Sequence, residues 1–172
     1  MLFRSDRREK SAYTIDYADL YRKGYRGVIF DIDNTLVPHG APATKEAAAF
    51  FASLRETGFS TCLLSNNQKP RVAPFADAVG SIYIENAHKP SVKNYQEACR
   101  RMGIKEEQAV FVGDQLFTDV YGAKRTGLYN ILTEPINPKE EIQIVLKRYL
   151  EHIVLFFYER DLARGRITKK NS

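Results

Sequence analysis

The feature that most constrains the fold is a regular alternation of short apolar runs with segments of helical periodicity between residues 27 and 132. Such alternation is typical of βα units wound into a parallel sheet with helices on both faces. Five strands are predicted, at residues 27–32, 59–64, 81–84, 108–112 and 128–132. The first is almost continuously apolar, as expected for a strand buried on both faces. The chain is therefore predicted to be an α/β protein with a three-layer, Rossmann-like sandwich.

Helices are predicted between these strands, at residues 44–57, 69–78, 92–102 and 119–125. In the first of them, Thr44 is placed to cap the start and Gly58 to close the end. After the last strand, Asn137 is a good N-cap, Pro138 fits the first helical position, and Glu140 can reach back to the cap. A C-terminal helical segment is therefore predicted at residues 138–165.

The length of 172 residues, with 44% hydrophobic content, suits one domain without disulfides or structural metals. We therefore predict a single domain over residues 1–172, with its core at 26–132. Cys62 and Cys99 share no CxxC spacing and are predicted to be buried, reduced thiols, as in a cytoplasmic protein. The charged stretch 1–10 lacks the apolar region of a signal peptide and is predicted to be a solvated tail.

The longest apolar run, residues 153–158, is far shorter than the roughly 20 residues of a spanning helix, so no integral membrane segment is predicted. Apolar residues also recur at helical spacing over 142–156, which favours core packing or a dimer interface over a membrane surface, because helices that cover a sheet have the same pattern. The net charge of +5 favours anionic partners, such as phosphorylated substrates, anionic lipid head groups or RNA.

Asp31 and Asp33 end the first predicted strand, and Ile32 lies between them. Carboxylates at alternate positions can point toward one opening and hold a divalent cation. Taken alone, such a pair is more often an Asp-rich turn that merely ends a strand, because Asp and Asn are ordinary turn formers. A calcium loop is excluded, because its sixth position would be Leu36 instead of Gly and its twelfth Pro42 instead of Glu.

Other polar residues follow the next predicted strands. Ser65 and Asn66 follow the second, Lys89 lies in the loop after the third, and Asp114 and Asp119 follow the fourth. Parallel strands end at one edge of the sheet, where ligands bind in open α/β folds. Judged singly, these residues also fit ordinary roles: strand ends for Ser65 and Asn66, a solvated charge for Lys89, a helix N-cap for Asp119.

The ordered set resembles the haloacid dehalogenase-like phosphatases. That family shows the motif order DxDxT, then Ser or Thr, then Lys, then GDxxxxD, and all four occur here between Asp31 and Asp119. The resemblance covers about residues 26–132. It implies a parallel sheet of strand order 3-2-1-4-5, with the crevice between the strands that carry Asp31 and Asp114.

The resemblance also implies residue roles. Asp31 is the nucleophile, Mg²⁺ is held by Asp31, the Asp33 carbonyl and Asp114, and Asp119 is a further ligand or an anchor. Asp33 acts as the general acid and then as the general base. Four further residues complete the site. Ser65, the N–H groups near Asn66, and Lys89 contact the phosphate, and Thr35 orients the Asp loop. His39 and His88 are left out of this set.

Many members of this family carry a cap domain, but residues 37–58 and 66–80 are too short to hold one, so a capless fold with an open site is predicted. The sequences FDIDNTL, LLSNN, HKP and VGDQLFTD resemble the YqeG-type group, which is similar to a mitochondrial phosphatidylglycerophosphate phosphatase. The resemblance thus favours that phospholipid as substrate and a cytoplasmic protein peripheral to the membrane. A protein or nucleotide phosphatase, or a basic RNA- or ribosome-associated module with vestigial catalysis, remains an alternative.

Overall fold

The computed structural model describes residues 4–139. A six-stranded parallel sheet lies at its centre, in the order β1-β6-β5-β2-β3-β4. The strands are β1 (Arg7–Glu9), β2 (Gly27–Phe30), β3 (Ser60–Leu64), β4 (Ile82–Ile84), β5 (Ala109–Gly113) and β6 (Tyr129–Thr133). The five predicted strands thus have the predicted order 3-2-1-4-5, and β1 is an additional strand at the β6 edge.

The prediction of a solvated N-terminal tail is wrong for the described part of residues 1–10. β1 pairs in parallel with β6, with Arg7 opposite Ile131. The side chain of Asp6 accepts hydrogen bonds from the backbone N–H of Asn130, at 3.1 Å, and from its side-chain amide. A charged edge strand is held by its backbone and carries no apolar alternation, so the sequence pattern did not predict it.

Five helices accompany the sheet: α1 (Tyr17–Arg22), α2 (Lys45–Thr57), α3 (Lys69–Val79), α4 (Val92–Met102) and α5 (Tyr121–Thr126). The Thr44 hydroxyl accepts a 3.0 Å hydrogen bond from the Ala47 N–H, and Gly58 ends α2 with a φ of 103°. Both predicted caps are therefore confirmed. The predicted helix 119–125 is instead a π-helical turn, Leu116–Val120, followed by α5.

Side chains of the central strands alternate between two apolar layers. Phe30 and Leu63 pack on one face with residues of α1, α2 and α3, including Leu20, Phe51 and Val72. On the other face, Ile29, Cys62 and Phe111 pack with residues of α4 and α5, including Tyr95, Cys99 and Ala123. Cys62 and Cys99 are buried free thiols, as predicted. The three-layer α/β architecture is confirmed.

The chain divides at Ile136 into two units, residues 1–136 and 137–172. Nearly all of the second unit, including most of the predicted helical segment 138–165, lies outside the described residues. The single-domain prediction for residues 1–172 therefore stays a prediction. Among the described helices, none is both long and apolar enough to span a bilayer.

Candidate active site

The predicted site residues gather at the carboxyl edge of β2, β3 and β5. Asp31 directly follows β2 and Asp114 directly follows β5, and these two strands are neighbours in the sheet. The Asp31 N–H extends the ladder by donating a 3.0 Å hydrogen bond to the Val112 carbonyl. β3 and β4 continue on one side of β2, whereas β6 and β1 lie beyond β5. This is the position at which strand order reverses and ligands bind in open α/β sheets.

Three buried carboxylates meet here. Asp31, Asp114 and Asp119 each offer an oxygen atom, and these atoms all lie within 4.8 Å of one another. Gly113 permits the approach, because a Cβ at that position would lie 2.9 Å from the Cβ of Asp119 and closer still to its carboxylate. Carboxylate oxygens are the ligands that Mg²⁺ prefers. The donor set of this acidic cluster therefore fits a hard divalent cation.

Lys89 lies within the same cluster. Its ammonium is 2.6 Å from Oδ1 of Asp31 and 2.7 Å from Oδ1 of Asp119, and its side chain is only 4% exposed. Burial disfavours the charged ammonium, but Asp119 and Asp31 outweigh burial and hold the pKa of Lys89 well above its ordinary value. The alternative reading of Lys89 as a solvated charge is therefore wrong.

The environment of Asp31 disfavours its charged form in the metal-free protein. Burial raises the pKa of its carboxyl to about 7; the Lys89 charge opposes this rise, and the Asp119 charge adds to it. A bound cation would act in the same direction as Lys89 and favour the carboxylate. Asp31 thus combines burial with one cationic partner, a setting characteristic of functional carboxylates.

The loop after Asp31 is a tight turn that returns toward the sheet. The Leu36 N–H donates a 2.9 Å hydrogen bond to the Ile32 carbonyl, and Asn34 adopts a φ of 62°, a conformation that Asn tolerates better than most residues. Thr35 is buried, and its hydroxyl donates a 3.0 Å hydrogen bond to Oδ1 of Asp114. Thr35 therefore connects the turn after β2 with the acidic residue after β5.

The side chain of Asp33 is held apart from the acidic cluster. Oδ1 accepts 2.8 Å hydrogen bonds from the Gly40 N–H and from Nη2 of Arg71, and Oδ2 accepts one from the Asn67 amide. Burial acts to raise the pKa of Asp33, but the hydrogen bonds from Arg71 and Gly40 and the Arg71 charge hold it below its ordinary value. Asp33 is thus a carboxylate whose two oxygens are both engaged.

Ser65 and Asn66 lie between β3 and the Lys89 loop. The buried Ser65 hydroxyl accepts a 3.1 Å hydrogen bond from the Asn67 N–H. The Asn66 side chain accepts a 2.7 Å hydrogen bond from the Lys89 N–H and donates one of 3.4 Å to the Lys89 carbonyl. Asn66 therefore supports the backbone of the loop that carries Lys89, and a role for Ser65 and Asn66 in phosphate binding stays a prediction.

Asp119 does not cap α5, contrary to the alternative reading of its sequence position. It lies inside the π-helical turn, and its Oδ2 accepts a 3.2 Å hydrogen bond from the Gln115 N–H upstream. Tyr95 of α4 contacts this turn, because its hydroxyl donates a 2.8 Å hydrogen bond to the Thr118 carbonyl. Asp119 thus contributes to the cluster from a π-helical turn, a feature that is frequent at functional sites.

Three supporting residues, Asn67, Arg71 and Tyr95, were not predicted. Arg71 is in the first turn of α3, which begins at the same sheet edge as the site. In a βα unit, the first turn of each helix lies beside the carboxyl end of the preceding strand, so this position was a usable signal. The two histidines outside the predicted set, His39 and His88, are both exposed.

Comparison with known proteins agrees with this geometry. The family model described as haloacid dehalogenase-like hydrolase matches residues 40–127. A protein of Bacillus subtilis named probable phosphatase YqeG is 34% identical over 159 residues, which are 92% of each chain. The chain belongs to the haloacid dehalogenase-like hydrolase family. The predicted resemblance to this family, and to its YqeG-type members, is confirmed.

Two further matches extend the comparison. Phosphatidylglycerophosphate phosphatase 1, chloroplastic/mitochondrial, of Arabidopsis thaliana is 29% identical over 161 residues, 88% of this chain but only 46% of the plant protein. A hypothetical protein from Xanthomonas campestris has a crystal structure that superposes with a TM-score of 0.55 at 16% identity, covering 78% of this chain and 79% of the other. This structural match supports the fold.

Proposed function

We propose that the protein is an Mg²⁺-dependent phosphomonoester hydrolase that works through an aspartyl-phosphate at Asp31, and that its substrate is phosphatidylglycerophosphate. The observation that carries the chemistry is the meeting of Asp31, Asp114 and Asp119 around the buried ammonium of Lys89. Membership of a hydrolase family adds the reaction class.

Magnesium would be held by carboxylate oxygens of Asp31 and Asp114 and by the backbone carbonyl of Asp33, with Asp119 as a ligand or an anchor. The separation of the Asp33 side chain from the acidic cluster supports the use of its carbonyl. When bound, the cation would shield the negative charges that otherwise keep a carboxylate and a phosphate apart. Thr35 would orient Asp114 through its hydrogen bond to Oδ1.

The chain's own residues account for the remaining steps. A carboxylate oxygen of Asp31 attacks phosphorus, and the bond between phosphorus and the leaving oxygen breaks. Asp33 enters this step protonated and delivers its proton to that oxygen, although the resting metal-free protein holds Asp33 as a carboxylate. Asp33 then takes a proton from a water molecule as the water attacks the phosphoryl group on Asp31, which releases phosphate and restores the free carboxylate. The Lys89 ammonium, next to Asp31, stabilises the negative charge on the transferring group.

Three features support a lipid substrate at a membrane surface. Within residues 4–139, no cap domain lies between β2 and α2 or between β3 and α3, and Gly40 of the short loop 38–42 contacts Asp33. Phe117, in the turn that carries Asp119, is 73% exposed at the edge of the site. The net charge of +5 favours an anionic surface. We propose accordingly that the protein acts in the cytoplasm, peripherally bound to membrane.

The test is phosphate release with Mg²⁺ from four substrates: phosphatidylglycerophosphate in anionic vesicles, a phosphopeptide, a nucleotide and a sugar phosphate. We expect the lipid to be the best substrate and its rate to fall with added salt, because salt screens surface attraction. Asp31→Asn should abolish turnover of every substrate. Activity retained by Asp31→Asn would refute the mechanism, whereas preference for another substrate would refute only the lipid assignment.

Asp33→Asn and Asp114→Asn distinguish the carboxylate that exchanges protons from the carboxylate that binds Mg²⁺. Asp33→Asn should lose most activity but keep its Mg²⁺ affinity, because its ligand is a backbone carbonyl. Asp114→Asn should lose both. Equal losses of Mg²⁺ affinity, measured by calorimetry, would show that the Asp33 side chain binds the metal.

A further inference from the structure

The carboxylate of Asp33 is fixed by donors from three separate segments of the chain. They are the Gly40 N–H in the loop after β2, the Asn67 amide in the loop after β3, and the Arg71 guanidinium in α3. The Arg71 contact, 2.8 Å from Nη2 to Oδ1, is the charged one of the three. All three hydrogen bonds have an ionised acceptor and are therefore stronger than neutral ones, and the positive charge of Arg71 adds direct attraction to the carboxylate. Arg71 is therefore the donor whose loss should most loosen Asp33.

Arg71 is itself well ordered by its surroundings. It lies in the first turn of α3, where its N–H donates a 3.0 Å hydrogen bond to the Gln68 carbonyl. Its guanidinium carbon lies 5.6 Å from the centre of the Phe75 ring one turn later, and its side chain is 21% exposed. A planar guanidinium beside an aromatic ring is less free to move than a flexible ammonium, so its single hydrogen bond to Oδ1 restricts the Asp33 carboxylate more.

We propose that Arg71 is a positioning residue that holds the Asp33 carboxylate in the orientation from which it exchanges protons with the leaving group and the attacking water. The inference rests on the proposed function of Asp33. Arg71 keeps its own protons throughout, since a guanidinium does not deprotonate in proteins. Asp33 alone gives and takes the proton. Small misplacements of a catalytic group cost up to about a hundredfold in rate, so one lost donor of three should cost about tenfold.

The first measurement compares Arg71→Met and Arg71→Lys with the wild type, using p-nitrophenyl phosphate at saturating Mg²⁺. We expect Arg71→Met to lower kcat about tenfold with KM changed by less than about twofold, and Arg71→Lys to recover part of the loss. The matched control is Arg55→Met. Arg55 also contacts α3, but at its far end, where it donates to the carbonyls of Val79 and Gly80. Its loss should lower stability without lowering kcat.

The second measurement repeats Arg71→Met in the Asp33→Asn background. If Arg71 acts through Asp33, Arg71→Met should lower kcat little further when Asp33 is already Asn. The effects of the two substitutions on kcat would then be strongly non-additive in a double-mutant cycle. The same tenfold loss in both backgrounds would overturn the proposal. So would a rise in KM at unchanged kcat, which would show that Arg71 binds the substrate.

A third readout does not depend on turnover. The amide resonance of Gly40, which donates to Asp33, should shift in Arg71→Met and in Asp33→Asn but not in Arg55→Met. An unchanged Gly40 resonance in Arg71→Met would overturn the positioning of Asp33 even if the enzyme is active. If the wild type fails to hydrolyse the ester but Gly40 shifts as expected, the contact between Arg71 and Asp33 is upheld and the proposed function fails instead.

Discussion

The hydroxyl of Thr35 donates a 3.0 Å hydrogen bond to Oδ1 of Asp114, although the two residues are 79 positions apart in the chain. Groups that orient a metal ligand typically contribute about ten- to a hundredfold to metal affinity. We expect Thr35→Val to weaken Mg²⁺ binding about tenfold, because Asp114 loses this hydrogen bond while the buried volume stays nearly constant. Titration calorimetry with Mg²⁺ measures the change directly.

Thr133→Val is the matched control for that experiment. The Thr133 hydroxyl is also buried, but it has no hydrogen-bond partner among the described residues. Its removal should leave Mg²⁺ affinity unchanged and stabilise the fold by up to about 1 kcal/mol, because an unsatisfied buried hydroxyl is lost. If both variants weaken Mg²⁺ binding equally, the Thr35 contact has no special role.

Asp31→Asn should change how stability depends on pH in metal-free protein. The folded state raises the pKa of Asp31 to about 7 from an ordinary value of 3.8, so it binds more protons than the unfolded chain between these values. This carboxyl therefore lowers stability as pH rises from about 4 to about 7. We expect Asp31→Asn to be more stable than wild type at pH 8 and to lose that advantage at pH 4, as measured by urea unfolding with EDTA.

Asp33→Asn should change the stability at pH 8 in the opposite direction in the same assay. The folded state lowers the pKa of Asp33, so its charge contributes stability above the ordinary value of 3.8, and that stability is lost as pH falls through the folded pKa. Asp33→Asn should therefore be less stable than wild type at pH 8. A gain in stability for Asp33→Asn at pH 8 would contradict the observed contacts with Arg71 and Gly40.

Lys89→Met tests the charge balance of the cluster. Removing the ammonium leaves Asp31 and Asp119 buried without their cation, and breaking a buried ion pair typically costs about 3–5 kcal/mol. We expect a loss of about 3 kcal/mol in EDTA at pH 8, with Mg²⁺ stabilising this variant more than it stabilises wild type. The exposed Lys93 supplies the control, since Lys93→Met should change stability little. A fully stable Lys89→Met would mean that the ion pairs are unimportant.

Asp6→Ala tests the attachment of β1. Asp6 accepts two hydrogen bonds from Asn130 and forms a 2.8 Å ion pair with Lys124. We expect a loss of about 1–2 kcal/mol in thermal or urea unfolding, with kcat unchanged, because two hydrogen bonds to a charged group are removed far from the acidic cluster. Arg8→Ala, in the same strand but with an exposed side chain, should have little effect. Equal losses would show that Asp6 holds β1 no better than a surface residue does.

The parts of this fold that the sequence predicted are those with strong local signals. The buried strand before Asp31 is continuously apolar, and Thr44 and Gly58 mark α2 with ordinary cap chemistry. The motif order then placed Asp31, Lys89, Asp114 and Asp119 at one edge of the sheet. In each case the signal lies within a few residues of the feature that it specifies.

What the sequence did not predict depends on contacts between distant segments. β1 is defined by its pairing with β6, and Arg71 matters because of its reach to Asp33 from another element. The π-helical turn around Asp119 has the composition of an ordinary helix start, and it accepts a hydrogen bond from Tyr95 in α4 at the Thr118 carbonyl. A local sequence pattern does not indicate which distant residues will contact a segment.

The pairing of β1 with β6 has a consequence for synthesis on the ribosome. β1 emerges first of the six strands, but its one partner strand within residues 4–139 is Ile131–Thr133, which emerges more than a hundred residues later. The central strands can assemble in the meantime, whereas the N-terminal edge must wait for β6. Pairing between such distant segments is intrinsically slow because the closure of the long loop precedes any gain from the contact. We therefore expect β1 to dock last, so that a nascent chain stalled before residue 129 has most of its sheet while β1 is still unpaired.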